Sequence, residues 1–165
     1  MPGLPRARDH RVVTISTEHG EAPVSDAAIL AHLRSKLTVP LYENLDFALT
    51  AAGEGWAEIT LQVSPRLYNP NGVLHGGMWT MIADSAMAAA IHSMLEPGES
   101  SATMQLDMRW LRAAPGERLR VVGRVLRRGR RAWHTTAELF DVEGRTVGIA
   151  NAMFAVLSPE ERPAD

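Results

Sequence analysis

Apolar and polar positions along the chain change period several times, and each change marks an element. Ser25 and Asp26 form a helix start, and Leu30, Leu33 and Leu37 then recur at helical spacing. Pro40 is expected to stop that helix. From Phe47 the period shortens: Ala57, Ile59, Leu61 and Val63 alternate with Glu58, Thr60 and Gln62, the pattern of a half-buried strand. Residues 65–72 (PRLYNPNG) are dense in Pro, Asn and Gly and predict a loop. Residues 76–95 are apolar nearly all round, so they predict a long buried helix, ended by Pro97 and Gly98.

The remainder alternates with period two. Met104, Leu106, Met108 and Trp110 oppose Gln105, Asp107 and Arg109, and Pro115 and Gly116 make a turn. Leu119, Val121 and Val125 oppose Arg118, Arg120 and Arg124. Residues 127–131 (RRGRR) predict a turn, 132–140 a strand, Glu143 and Gly144 a turn, and 146–156 a last strand. The expected order is a short helix, two strands, the long helix, then a four-strand meander. That is an α+β domain in which one antiparallel sheet wraps one apolar helix, the hotdog arrangement. The expected organisation is an irregular leader over 1–24, one domain over 25–157 and a tail over 158–165.

Composition narrows the classes. A chain of 165 residues fits one domain, and 45% hydrophobic with 22% charged residues is a globular balance. A net charge of −2 gives no global basic excess toward nucleic acid. The absence of cysteine excludes disulfides, thiolate metal sites and a cysteine nucleophile, and suits a cytoplasmic setting. The first residues, MPGLPRARDHR, lack the apolar core of a secretory signal. The stretch 76–95 has nearly the length of a membrane span, but it holds Asp84, His92, Thr80, Ser85 and Ser93 and opens on two glycines. A helix buried within the protein accounts for it better.

Asp84 is the sole carboxylate of that apolar helix. A charge buried there costs several kcal/mol unless it is paired, solvated by a site water or protonated, and such settings shift pKa values toward catalytic use. A carboxylate bonded to backbone at a solvent edge is the structural alternative. His75, Gly76 and Gly77 stand at the helix start, where free N–H groups and the helix dipole suit an oxyanion. Alone, that triplet is also what a flexible loop-to-helix junction looks like. Gly76 and Asp84 are eight residues apart, about 12 Å along one helix at about 1.5 Å per residue. Both can act at one carbon only if two antiparallel copies of the helix meet across a two-fold axis.

The run N-P-N-G-V-L-H-G-G-M-W-T-M-I-A-D-S-A over residues 69–86 resembles the signature of the PaaI-like branch of hotdog acyl-CoA thioesterases. The stretch 41–63 and the run L-D-M-R-W-L-R over 106–112 extend the resemblance to about residues 40–157. It implies hydrolysis of an acyl-CoA thioester, with Asp84 as base or nucleophile, and with the Gly76 N–H polarising the carbonyl. Through it His75 and Gly77 hold the thioester, and Asn69 positions water or the leaving group. It further implies a homodimer or homotetramer with sites at subunit interfaces and no metal or other cofactor. Thr103 or Gln105, on the strand after the helix, completes the site; the sequence does not choose between them. Where many relatives place proline directly after the Leu-Arg pair, this chain has Ala113, Ala114 and then Pro115, which affects the turn more than the chemistry.

Arg124, Arg127, Arg128, Arg130 and Arg131 cluster around a hairpin. Arginine suits the phosphates of CoA, with Arg127 and Arg128 as the contacts, although such a hairpin also serves as a solvated edge that discourages aggregation. No aromatic residues interleave with these arginines, as nucleic-acid binding would favour. Trp79, one turn from Asp84, is either an acyl-pocket wall or core. Met78, Met81, Met87 and Met94 are either an adaptable pocket or core. Two other functions fit a hotdog protein: an acyl-thioester hydratase or dehydratase, and an acyl-CoA-binding protein without turnover. Asp84 nine residues after His75 favours hydrolysis over the first, and an intact Asp84 with Asn69 over the second.

Overall fold

The computed structural model describes residues 23–37, 39–113 and 117–161. Residues 1–22 of the expected 1–24 leader, the turn at Pro115 and Gly116, and residues 162–165 of the expected 158–165 tail lie outside the described residues.

Helix α1 (Ala27–Leu37) starts where the sequence places its cap. The Asp26 carboxylate accepts the N–H groups of Ala28 and Ile29 at 2.9 and 3.0 Å, two donors that a helix start leaves unpaired. Leu33 is fully buried against the core. Replacing Asp26 by Ala leaves those donors to water. The expected loss is about 1 kcal/mol, read as a fall in Tm of about 2–4 °C. An unchanged Tm would show that the cap adds nothing.

Pro40 does not act only as a stop. It is the first residue of a second short helix, α2 (Pro40–Asn44), a position where the N–H that proline lacks would have no partner anyway. Strands β1 (Phe47–Gly53) and β2 (Trp56–Gln62) then form a hairpin, with Gly55 at φ 75° in the turn. A 3-10 turn over Pro65–Leu67 and a bridge between Tyr68 and Leu74 shape the expected loop.

The long helix α3 (Gly76–His92) ends three residues before its expected limit. The Ser93 hydroxyl donates to the Ala90 carbonyl at 2.7 Å and accepts the Gly55 N–H at 2.8 Å. A tertiary contact to the β1–β2 turn therefore fixes this end, ahead of the Pro97–Gly98 breaker. Among the described residues no helix is long and apolar enough to cross a membrane.

Strands β3 (Ser100–Trp110), β4 (Arg118–Arg128), β5 (Ala132–Phe140) and β6 (Thr146–Leu157) complete one antiparallel sheet. Its order is β1-β2-β4-β5-β6-β3, with α3 packed on one face. The expected four-strand meander holds only from β4 to β6. Strand β3 crosses to the far edge and pairs with β6, while β4 takes the place beside β2. Alternation records which side of a strand faces the core and says nothing about its neighbour. β4 reaches Arg128, so the turn after it is shorter than the RRGRR run. The β5–β6 turn is closed by Asp141, which accepts the N–H groups of Glu143 and Arg145 and the Arg145 guanidinium.

The core is the inner sheet face against α3: Ile59, Leu61, Leu119, Val121, Val125, Leu139 and Phe154 meet Ile82, Ala86, Ala90 and Ile91. α1 and α2 cover the β1 end of this layer. Trp133 is fully buried, as its place in a core strand predicts.

Candidate active site

Thr80, Met81, Asp84 and Ala88 form a half-buried stripe along α3, at three- and four-residue spacing. Asp84 stands in its middle. The Thr103 hydroxyl of β3 donates to its Oδ1 at 2.8 Å. Burial raises the Asp84 pKa above the usual carboxylate range, and the Thr103 hydrogen bond partly opposes that rise.

A bulge decides between Thr103 and Gln105. Thr103 pairs with Phe154 and Gln105 with Met153, so Met104 is the extra residue, and its side chain is 59% exposed. Simple alternation puts Met104 on the face of Leu106 and Met108. The bulge gives that face to Thr103, with Leu106 and Met108 behind it on the core. Gln105 turns away and its amide donates to Asp107 at 2.9 Å. Of these two, Thr103 is the one bonded to Asp84.

Thr103→Ala removes the group that stabilises the carboxylate form. The acid limb of the kcat/KM profile is then expected to move to higher pH, because the hydrogen bond that lowers the Asp84 pKa is gone. An unmoved limb would show that Asp84 is not the titrating group or that Thr103 does not tune it.

The N-terminus of α3 forms a separate cluster. His75 caps the helix: its Nδ1 accepts the Gly77 N–H at 2.9 Å, and its own N–H donates to the Leu67 carbonyl. The Gly77 N–H is thus occupied, while the Gly76 N–H has no hydrogen-bond acceptor among the described residues. Gly76 opens onto a cavity of about 530 Å³ with Asn69, Trp79, Trp110 and Arg112 in its walls. The Trp110 ring lies against Gly76, 3.5 Å from where a Cβ would stand, and is 53% exposed. Asn69 holds the approach loop, its Oδ1 accepting the N–H groups of Asn71 and Val73 at 2.9 and 3.5 Å.

Asp84 is not in the walls of this cavity, so the described residues form two separate clusters: Gly76 with Asn69, and Asp84 with Thr103. Arg127 and Arg128 stand with neither. Arg127 is exposed at the end of β4. Arg128 lies over the Trp133 ring at 4.9 Å and meets Glu96 at 4.0 Å, beyond the C-terminal end of α3. Trp110 and Arg112 were not singled out from the sequence. The signal available was their place just beyond the last core residue of β3, on the side of the HGG turn.

Residues 71–148 match the thioesterase superfamily. The chain is 28% identical over 113 residues to the 1,4-dihydroxy-2-naphthoyl-CoA hydrolase of Escherichia coli (strain K12), covering 68% of this chain and 83% of that protein. Among solved structures, it superposes on a Haemophilus influenzae thioesterase with a TM-score of 0.75 at 20% identity, over 90% of this chain and all of that one. It also matches the E. coli PaaI protein from the phenylacetic acid degradation operon with a TM-score of 0.73 at 18% identity, over 80% of this chain and 96% of that one. These two likenesses carry the fold, the hotdog.

Proposed function

For a chain of the thioesterase superfamily on the PaaI-like hotdog fold, we propose that it hydrolyses an acyl-CoA thioester to the free acid and CoA, with Asp84 as the catalytic carboxylate. The observation that carries this reading is Asp84 itself: a carboxylate with a raised pKa, held by one hydroxyl, on the half-buried stripe of α3. Its second oxygen is left for water or for the thioester carbon. The naphthoyl-CoA hydrolase relative supports a CoA thioester as substrate.

Asp84 acts as base on water or as nucleophile. In either case a C–O bond forms, the carbonyl oxygen takes up negative charge, the C–S bond breaks, and CoA leaves as a thiol. The Gly76 N–H at the positive end of α3 is the donor for that oxygen. Gly76 and Asp84 of one chain are too far apart to share a carbon, so the site pairs Gly76 of one copy with Asp84 of a second, two sites per dimer. Their half-buried stripes supply the contact, and the outer edge of β3 lies beside it. His75 fixes the turn that presents Gly76, and Gly77 gives its own N–H to that cap. Asn69 shapes the cavity mouth, with Arg127 free to meet a phosphate of CoA.

The test is thiol release from phenylacetyl-, benzoyl-, short-chain and long-chain acyl-CoA, with light scattering on the same sample. Turnover of at least one substrate by a dimer or tetramer is expected. A folded protein silent on the whole panel would leave an acyl-CoA-binding role in its place, and an active monomer would remove the shared site.

A further inference from the structure

A second cavity, of about 240 Å³, lies on the opposite flank of α3 from Gly76. Ser85 and Ala89 of α3 face it; Ser85 is nine residues from Gly76, two and a half turns, which points the two to opposite sides. The other apolar walls are Leu37 of α1, Tyr42 of α2, Phe47 and Leu49 of β1, and Ile59 of β2. The Tyr42 and Phe47 rings stack with centroids 5.6 Å apart at 29°. The Arg34 guanidinium, also in the wall, donates twice to the Leu49 carbonyl at 3.0 and 2.9 Å, which ties α1 to β1 across the cavity. α1 and α2 thus build this compartment on top of the sheet-and-helix core.

Asp84 immediately precedes Ser85, about 100° around the helix. Its carboxylate does not line the cavity but lies one residue and about a quarter turn from the Ser85 wall, on the stripe where the proposed reading puts the thioester carbon. Of the directions open from that carbon, one runs to Thr103 and β3, and one runs along the helix toward a second copy and its Gly76 cavity. The third enters the apolar compartment. Resting on the thioesterase reading of Asp84, we infer that this compartment receives the acyl group, and that α1 and α2 restrict it to about the size of one aromatic ring. Its volume is below the roughly 300–1,000 Å³ of pockets that hold drug-sized ligands, so a long chain does not fit. The Tyr42–Phe47 pair offers the offset or edge contacts that a ring prefers.

Two variants test this. Ala89→Leu adds three carbons inside the cavity; Leu37→Ala, on half-buried α1, enlarges it. Steady-state kcat/KM is measured for acetyl-, benzoyl-, phenylacetyl- and decanoyl-CoA, with Tm as the folding check. Wild type is expected to favour the aromatic substrates. Ala89→Leu should lower the benzoyl-to-acetyl ratio by about tenfold or more, and Leu37→Ala should raise the decanoyl-to-benzoyl ratio by about tenfold. If Ala89→Leu does not fold, Leu37→Ala decides alone. Turnover with both ratios unchanged overturns the inference and leaves the thioesterase reading standing. If wild type cleaves nothing, that reading fails instead. Calorimetry with the benzyl thioether of CoA, which cannot be hydrolysed, then decides the cavity: about tenfold weaker binding by Leu37→Ala supports it, and equal binding overturns it.

Discussion

Asp84→Asn is expected to lower thiol release by about a thousandfold and, in the same protein, to raise its thermal stability. The loss follows from chemistry: a carboxamide neither accepts a proton from water nor attacks a thioester, and a positioned base or acid contributes about 10²–10⁴ in rate. Geometry is kept, because the Asn oxygen still accepts the Thr103 hydroxyl. The stability gain follows from the raised pKa. A carboxyl whose folded pKa lies above its unfolded value stabilises the fold in its protonated form, below the unfolded pKa. That contribution is lost as pH rises through the folded pKa. Above the folded pKa the ionised Asp84 is therefore a cost that Asn does not carry. Because the group is partly solvated, the gain is small, about 2 °C in Tm after screening. It should shrink toward zero as pH falls to the ordinary carboxylate pKa, where wild type is protonated too. Thiol release and thermal melts at neutral and acid pH check both halves. An active Asn variant would remove Asp84 from catalysis, and a destabilised one would mean that the carboxylate is structural.

Gly123→Val is expected to prevent folding, the largest stability effect on the molecule. Gly123 is in the middle of β4, beside Ala57 of β2 and Ala137 of β5. A Cβ at that position would overlap the Ala86 carbonyl and the Met87 nitrogen, which are backbone of α3. A flexible side chain could swing aside; a helix backbone cannot. Accommodating even one carbon pushes α3 off the sheet and opens the contacts of Ile82, Ala86 and Ala90 with Val121 and Leu119. Overpacking of a core costs about 1–3 kcal/mol where side chains can shift, and more where they cannot. Urea denaturation should show a loss of at least about 3 kcal/mol, or no soluble folded protein. A variant with wild-type stability would mean that β4 does not lie directly on the helix.

Much of this molecule is legible in the order of its residues. The alternations of β2, β4, β5 and β6 and the apolar run of α3 name the elements to within a few residues, because burial of one face imposes its period on the chain. The Asp26 cap and the lone Asp84 are equally visible, since each is a polar residue whose position demands a partner. The resemblance over residues 69–86 supplied the roles expected of His75, Gly76 and Asn69.

What the chain order left open was decided by contacts between distant residues. Pro40 begins α2 as well as following α1, because either use satisfies a proline that lacks an N–H. α3 stops at His92 since Ser93 bonds the β1–β2 turn, 38 residues earlier in the chain. β3 pairs with β6, while β4, whose Gly123 lies close against the α3 backbone, takes the place beside β2. The bulge at Met104, set by that pairing, selects Thr103 over Gln105 as the partner of Asp84. By itself the sequence determined which faces are buried and marked the polar residues set in apolar elements, since local periodicity encodes burial. The tertiary structure alone decided which strands are neighbours, that Gly76 and Asp84 stand in separate clusters, and that α1 and α2 enclose a cavity against Ser85 and Ala89 of α3. Those depend on pairings that no local period records.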